Sequence, residues 1–349
     1  MSDSPQKLAV AVLGLGWVAT ARHIPALLRN ESCRLVGVID RDPAKAAAVA
    51  AKLNLPHHAG GDLRSVSWLA EVDAVTIGAP PQRHHDLVCA ALGLGKHVLT
   101  EKPFAMTVAE GEAMQAAAQS AERILAVVHN FQFARAMQKL QADIAAGRLG
   151  QVQWIAARQL GNPRRRLPAW YPELPLGLFY DESPHFYYLL RRLAGDLTLQ
   201  DAVARGRQAG NNTPDEIRLL YHGRDKLPVS IDCNFNSPLS EWAIMVGGER
   251  ALGIVDIFRD FYLRLPQDGT HGLAQIVGTS LSATLQHWWQ YLPNGLSFLR
   301  GRLDYGNDTV MARFAEACRT GKAPDDISAA DALAVLRQQH RAIAGVRWL

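Results

Sequence analysis

Two short stretches and one acid in this chain have residue types and spacing suited to chemistry. The first stretch is "GLGWVA", Gly14 to Ala19. In a turn from strand to helix, Gly14 permits the tight bend and Gly16 lets a pyrophosphate approach the backbone. Ala19 is small enough for the helix to pack on the sheet. The N–H groups of the opening turn, which includes Trp17 and Val18, and the helix dipole then face the phosphates. The acid is Asp40, 21 residues after Ala19, where a carboxylate hydrogen-bonds the ribose hydroxyls of the adenosine half. Together they predict dinucleotide binding. A carboxylate repels a 2′-phosphate, so Asp40 favours NAD, while the neighbouring Arg41 guanidinium could hold that phosphate and keeps NADP open. The second stretch is "LTEKP", Leu99 to Pro103, where an apolar run stops on an acid, a base and a proline. Lys102 is either a solvated loop lysine or a working one.

The elements around these residues alternate. "LAVAVLG" (8–14) is a continuous apolar run, as in a strand buried on both faces. Similar runs follow at 34–40, 73–80, 97–103 and 123–129, separated by helical patterns at 42–54, 84–95 and 107–121. Such repeated units imply a doubly wound parallel sheet with helices on both faces, an α/β Rossmann domain over residues 1–128. From 129 to 349 the pattern changes. A helix near 134–147, a strand through "VQWIAARQL", a helix through "PHFYYLLRRLAG" and six successive strand-like runs predict an α+β domain with a largely antiparallel sheet. Ser183-Pro184 reads as the N-cap and first turn of the helix there. Helices near 309–320 and 328–344 close the chain.

Composition sets bounds. The chain has 349 residues, enough for two domains at roughly 100–200 residues each. A net charge of +4 over that length is too weak and too spread to argue for nucleic acid. The cluster Arg164-Arg165-Arg166 is either an anion holder or a solvated loop face. Cys33, Cys89, Cys233 and Cys318 are few and scattered, which fits a reducing, cytoplasmic setting. "MSDSPQK" has no apolar core for a secretory signal, and no run reaches the ~20 residues of a membrane span. No cluster has metal-ligand spacing, so no metal is expected.

Further motifs give the chain a resemblance. Pro80 and His84, then Gly95-Lys96-His97-Val98, then Glu101-Lys102-Pro103 stand in the first domain. Asn130 to Phe133, Gly147-Arg148-Leu149-Gly150, and Asp181 to His185 stand in the second. In this set and order the chain resembles the glucose–fructose oxidoreductase/inositol dehydrogenase/rhizopine-catabolism (Gfo/Idh/MocA) oxidoreductases over most of its length. Three departures bear on substrate more than on reaction type: Pro81 where the family often has Asn, "LGLFYDESPH" in place of a glycine-rich lead, and an unusual segment at 267–305.

The resemblance implies an NAD(P)-dependent oxidoreductase moving hydride between nicotinamide and a secondary alcohol of a sugar, inositol or nucleotide-sugar-like substrate. The cofactor set it implies adds Ala79, Pro80, His84 and Glu101 to the glycine turn, Asp40 and Arg41; a helix-start role is the equal alternative for His84. Lys102 lies at the carboxyl end of a parallel strand, where ligands bind in open sheets. There an ammonium can hydrogen-bond a substrate hydroxyl and stabilise charge on its oxygen. The resemblance also implies a cis Lys102–Pro103 bond. His185 is the candidate general acid/base, since its unperturbed pKa lies near neutrality. Asp181, four residues earlier, would share a helix face with it and orient the imidazole, hold a second hydroxyl, or serve the helix start. Asn130, Gln132, Arg158 and Trp170 are candidates to line a polyol pocket, with a structural role the alternative for some of them. Two other readings stay open: an NAD-dependent glycosidase using transient oxidation, and a non-catalytic NAD(P)-binding regulator. A homodimer or homotetramer is expected. "LSATLQHWWQYLPNGLSFLRGR" (281–302) reads first as a packed or oligomer-interface segment, then as a lid, and last as an interfacial membrane contact, because Pro293 and Gly295 break the run.

Overall fold

Strand β1 (Leu8–Leu13) has Val10, Ala11 and Val12 fully buried, as a central strand covered on both faces requires. The structure is a computed structural model that describes residues 6–207, 210–299 and 305–349. The polar start read above, residues 1–5, and the end of the 267–305 segment, residues 300–304, lie outside the described residues. The chain divides into two compact units, Met1–Asn130 with Asn307–Arg337, and Phe131–Gly306 with Gln338–Leu349.

In the first unit β1 is joined by β2 (Cys33–Asp40), β3 (His57–Ala59), β4 (Ala74–Ile77), β5 (His97–Thr100) and β6 (Leu125–Val127). All pair in parallel, in the order β3-β2-β1-β4-β5-β6. The connection order reverses between β1 and β4, and in such sheets the crevice outside the carboxyl ends at that point takes the ligand. Edge strand β3 had no apolar run to announce it. The helices are α1 (Ile24–Arg29), α2 (Pro43–Leu53), α3 (His84–Gly93) and α4 (Val108–Ser120). Local chemistry fixes two starts. Asp42 accepts from the N–H groups of Ala44 and Lys45, with Pro43 at the first helical position. Thr107 accepts from Glu110 N–H while the Glu110 carboxylate accepts from Met106 N–H. The segment 307–337, grouped with the second domain by its place in the sequence, packs in the first unit. Its Ala329, Ala332, Leu333 and Leu336 join the core of Val98, Leu125 and Val127.

The second unit contains α5 (Arg135–Ala145), β7 (Val152–Leu160), α6 (Leu178–Ala194), β8 (Thr198–Arg205), β9 (Glu216–His222), β10 (Pro228–Asn234), β11 (Glu241–Gly248), β12 (Ala251–Asp256), β13 (Phe261–Pro266), α7 (Leu273–Leu299) and β14 (Arg347–Trp348). The sheet runs β13-β12-β11-β7-β10-β9-β8-β14. It is antiparallel except where β10 meets β7 and β14 meets β8. Buried and exposed residues alternate along β9 and β10, so one face packs and the other does not. Helix α6 covers the packed face: Phe186 stacks on Trp242 of β11 at 4.0 Å, and the Tyr187 and Tyr221 hydroxyls meet at 3.0 Å. Segment 267–305, expected to hold little strand, is largely α7, and Pro293 lies within that helix rather than ending it. Among the described residues no helix is long and apolar enough to cross a membrane.

Candidate active site

The glycine turn has the shape its sequence requires. Gly14 sits at φ +81°, and a Cβ there would stand 2.9 Å from the Ala79 nitrogen, so both conformation and space demand glycine. Around Gly16 a Cβ would meet only Gly78 O, at 3.5 Å, among the described residues. That leaves bare backbone for a ligand to approach. Ala19 is fully buried, and Gly78 lies so close that a Cβ on it would be 3.0 Å from the Ala19 methyl. Two small residues therefore let the helix lie against the end of β4. The chain then runs through a π segment, Ala19–His23, before α1.

Asp40 closes β2 and is 7% exposed. One carboxylate oxygen accepts from Leu15 N–H at 2.6 Å, the other from Asp42 N–H at 2.9 Å. Asp40 thus braces the glycine turn, and each oxygen keeps a lone pair for a hydroxyl donor. Bare backbone at Gly16, a helix start and an acid at the strand end fit a dinucleotide. Trp17 and Arg41 are exposed, with the Arg22 guanidinium 5.3 Å over the Trp17 ring. Val18, Ala79 and Pro80 are half-buried beside the turn.

Glu101, half-buried Lys102 and Pro103 follow the end of β5, and the Lys102–Pro103 peptide is cis. Glu101 is buried; its Oε1 accepts from His23 Nε2 at 2.9 Å and its Oε2 from Lys102 N–H at 3.1 Å. One carboxylate therefore joins the helix after the glycine turn to the loop that carries Lys102. Burial pushes the Glu101 carboxyl up, but the His23 hydrogen bond and charge, with Lys102, outweigh it and hold the group below its ordinary value. His84 is fully buried, with Nδ1 2.8 Å from Pro103 O and Nε2 3.0 Å from Ala79 O. It bridges the loops after β4 and β5 and shows no surface to a ligand. A neutral ring can donate to only one of these carbonyls, and burial holds the imidazole below its ordinary pKa.

In the second unit α6 starts five residues before Ser183, not at the Ser183-Pro184 signal. The Thr213 hydroxyl accepts from Leu178 N–H at 3.0 Å and caps the start from a distant segment. Pro184 supplies no N–H to Tyr180 O four residues back, and the Gln339 side chain donates to that carbonyl instead. Asp181 and His185 consequently lie one turn apart on one helix, both buried. The His185 ring stacks on Phe131, with centroids 4.1 Å apart and planes at 15°, and meets Trp242 edge-on at 5.7 Å. Its Nδ1 is 2.6 Å from the Tyr188 hydroxyl, which accepts from Phe131 N–H at 3.0 Å.

Glu182 anchors this part of α6. Gln159 and Trp242 donate to its Oε2 and Arg165 to its Oε1. Arg165, read within a solvated or anion-holding cluster, is therefore turned onto a buried acid. Arg158, next to Gln159 on β7, points to the opposite sheet face and is exposed, 4.0 Å from Glu241. It does not join the His185 cluster. Trp170 is half-buried before the turn Tyr171–Glu173, and Asn130 is buried at the end of the first segment of unit one. Sequence reasoning missed His23, Tyr188, Glu182 and Trp242. Only Tyr188 had a local signal, three residues after His185 on the same helix face.

A glycine turn of this shape, a braced acid and this strand order define a dinucleotide-binding domain. Residues 8–129 match the model of the oxidoreductase family with an NAD-binding Rossmann fold, so that domain is of the Gfo/Idh/MocA type. It is 35% identical to an uncharacterised oxidoreductase, sll0816 of Synechocystis, over 51% of this chain and 48% of that one. It is 31% identical to the D-glucoside 3-dehydrogenase of Escherichia coli, over 49% and 47%. The chain thus spans about half the length of these curated relatives. Both units share their fold with KijD10, a 3-ketoreductase from Actinomadura kijaniata solved with NADP and TDP-benzene, at a TM-score of 0.77, 17% identity and 99% coverage of each chain.

Proposed function

We propose that the protein is an NAD(P)-dependent oxidoreductase acting on a secondary alcohol of a sugar, inositol or nucleotide-sugar-like substrate in the cytoplasm. The observation that carries this reading is the position of Lys102, at the carboxyl end of β5 beside the switch point of a dinucleotide-type sheet. The glucoside 3-dehydrogenase among the relatives supports a sugar alcohol as the substrate class. Gly14, Gly16 and the following helix start would hold the pyrophosphate, and Asp40 the adenosine ribose. When bound, the nicotinamide supplies the hydride acceptor or donor.

The chain's own groups handle the hydroxyl. Lys102 hydrogen-bonds the substrate oxygen and stabilises negative charge there. Glu101 fixes the Lys102 backbone through the hydrogen bond to its N–H. His185 moves the proton. The Tyr188 hydroxyl, itself held by Phe131 N–H, engages His185 Nδ1. Nε2 is then the nitrogen that takes the hydroxyl proton in oxidation and returns it from the imidazolium in reduction. Asp181, one turn earlier, orients the imidazole or takes a second substrate hydroxyl.

The test is Lys102→Ala, assayed by nucleotide titration and by reduced-nicotinamide absorbance with candidate sugars and inositols. Cofactor affinity stays near wild type and turnover falls at least about a hundredfold, the scale of losing one charge-stabilising donor. Normal turnover in this variant would end the assignment.

A further inference from the structure

Lys102 is tied to a residue that the proposed reaction does not use. His23 closes the π segment after the glycine turn, where Ile24 N–H donates back five residues to Ala19 O. Pro25, two residues on, has no N–H for Ala21 O, so regular α-helical bonding lapses at this point. His23 is 2% exposed, with Nε2 2.9 Å from Glu101 Oε1. A carboxylate only accepts, so Nε2 carries the proton. The other ring nitrogen, Nδ1, is buried and meets no hydrogen-bond partner among the described residues.

This pair bridges two loops that the sheet keeps apart. The glycine turn follows β1 and Lys102 follows β5, with β4 between them, so the two strands stand two spacings, about 10 Å, apart. The helix start crosses the end of β4 at Gly78, where a Cβ would press on the Ala19 methyl. His23 holds Oε1 of Glu101, Oε2 accepts from Lys102 N–H at 3.1 Å, and Glu101 N–H donates to Ile77 O at 3.0 Å. On the other side of Lys102, Pro103 O lies 2.8 Å from His84 Nδ1. The backbone on each side of Lys102 is thus tied to a buried imidazole. Packing alone does not account for His23, because an apolar side chain would fill the space without burying an unpaired nitrogen. What the ring adds is one direct bond to the acid that holds the Lys102 peptide.

We propose, resting on the reading of Lys102 as the group that meets the substrate oxygen, that His23 is a positioning residue for Lys102 and acts through Glu101. The helix that begins at the pyrophosphate turn thereby sets where the lysine stands. Without the His23 bond only Oε2 of the carboxylate is tied, and the acceptor for Lys102 N–H can turn about its last torsion. A misplacement of about 1 Å at a reacting group costs up to about a hundredfold in rate. Nucleotide binding rests on the glycine turn and Asp40 and stays near wild type.

The test compares His23→Leu, which removes the donor, with His23→Gln, whose amide nitrogen stands the same number of bonds from the backbone as Nε2. Hydrogen exchange of the Lys102 amide, read by NMR on 15N-lysine-labelled protein without substrate, should quicken about tenfold in His23→Leu and stay near wild type in His23→Gln. With methyl glucoside and myo-inositol as probes, kcat should fall about tenfold to a hundredfold in His23→Leu at little change in KM or nucleotide affinity, and recover in His23→Gln. His23→Leu/Glu101→Gln should be no slower than Glu101→Gln alone, because the two residues act in series. Unchanged exchange at Lys102 in His23→Leu overturns the proposal. So does a joint loss of nucleotide affinity and turnover that glutamine does not restore. If His23→Leu does not fold, His23→Asn, one bond too short for Oε1, replaces it; failure of both to fold assigns His23 to the fold alone and also overturns the proposal. Normal turnover in Lys102→Ala would end the reading of the reaction and leave the exchange result standing. Normal turnover in His23→Leu beside an inactive Lys102→Ala would end this inference alone.

Discussion

Nδ1 of His185 lies 2.6 Å from the Tyr188 hydroxyl, three residues along the same helix. The contact matters because the hydroxyl is itself oriented by Phe131 N–H, and the His185 ring is stacked on the Phe131 side chain. Phe131 therefore holds the imidazole twice, once through its ring and once through its backbone. Trp242 adds an edge contact to the same ring and is tied to Glu182 by its indole N–H. These contacts together set the orientation of the His185 ring.

Tyr188→Phe tests this. The ring is buried and the substitution keeps its shape, so the fold should hold. Tyr188 is a positioning residue, and its loss leaves Nδ1 without this hydroxyl. Turnover should fall about tenfold, the scale of one hydrogen bond in a transition state, with KM changed little. The informative reading is the pH profile of kcat, whose His-controlled limb should move in the variant. Unchanged kcat and an unchanged profile would show that Tyr188 serves packing alone.

The Glu101 carboxylate gives a second prediction, with a definite sign. Its folded-state pKa is held below the ordinary value, so the unfolded chain binds more protons at acid pH. The stability it contributes is present above the ordinary carboxylate range and is lost as pH falls through the depressed folded value. His84, held below its ordinary value by burial, acts with the same sign, starting at higher pH, around the ordinary imidazole range. Urea midpoints measured against pH should fall in two steps on acidification. Glu101→Gln should lower stability near neutrality by about 1–3 kcal/mol and shrink the more acidic step, to which Asp143, held low against burial by Arg148, Tyr262 and Arg264, also contributes, while leaving the other. A variant with both steps at full size would show that the Glu101 pair does not govern acid stability.

Much of the first unit was legible because its signals are contiguous. "GLGWVA" and Asp40 could be placed because a turn and an acid at fixed spacing state both conformation and chemistry. What escaped reading depends on partners distant in sequence. The His23–Glu101 contact joins residues 78 apart. Ser183-Pro184 is a sound local start signal, yet Thr213 and Gln339 supply the cap and the carbonyl partner that let α6 begin at Leu178 and run through the proline. Pro293 and Gly295 likewise read as breakers, but the Gln286 and Gln290 side chains bonded to β13 hold α7 through them. Arg158 was chosen by type, while the strand period sent it to the face opposite Gln159.

The third prediction concerns α7 as a closing element. Gln286→Leu/Gln290→Leu removes four hydrogen bonds to the edge of β13 and leaves its backbone groups at Tyr262 and Arg264 without those partners. Stability should fall by about 2–4 kcal/mol at the net scale of such bonds, and the protein should aggregate through the reopened edge. Calorimetry and light scattering read the two effects. Wild-type melting with no aggregation would show that β13 needs no cover.

Asp40 permits a last test, because it has two roles that one substitution separates. As a brace it accepts from Leu15 N–H at 2.6 Å and Asp42 N–H at 2.9 Å. As a cofactor residue it would also accept from ribose hydroxyls and repel a 2′-phosphate. Asp40→Ala removes both. The loss of hydrogen bonds to a charged acceptor should weaken NAD binding about tenfold to a hundredfold. NADP should suffer less, since the charge opposing its phosphate leaves too and Arg41 remains beside it. The ratio of the two affinities, measured by reduced-nucleotide fluorescence titration, should therefore move toward NADP. If both cofactors weaken by the same factor, Asp40 acts only by holding the glycine turn, and selectivity is set elsewhere.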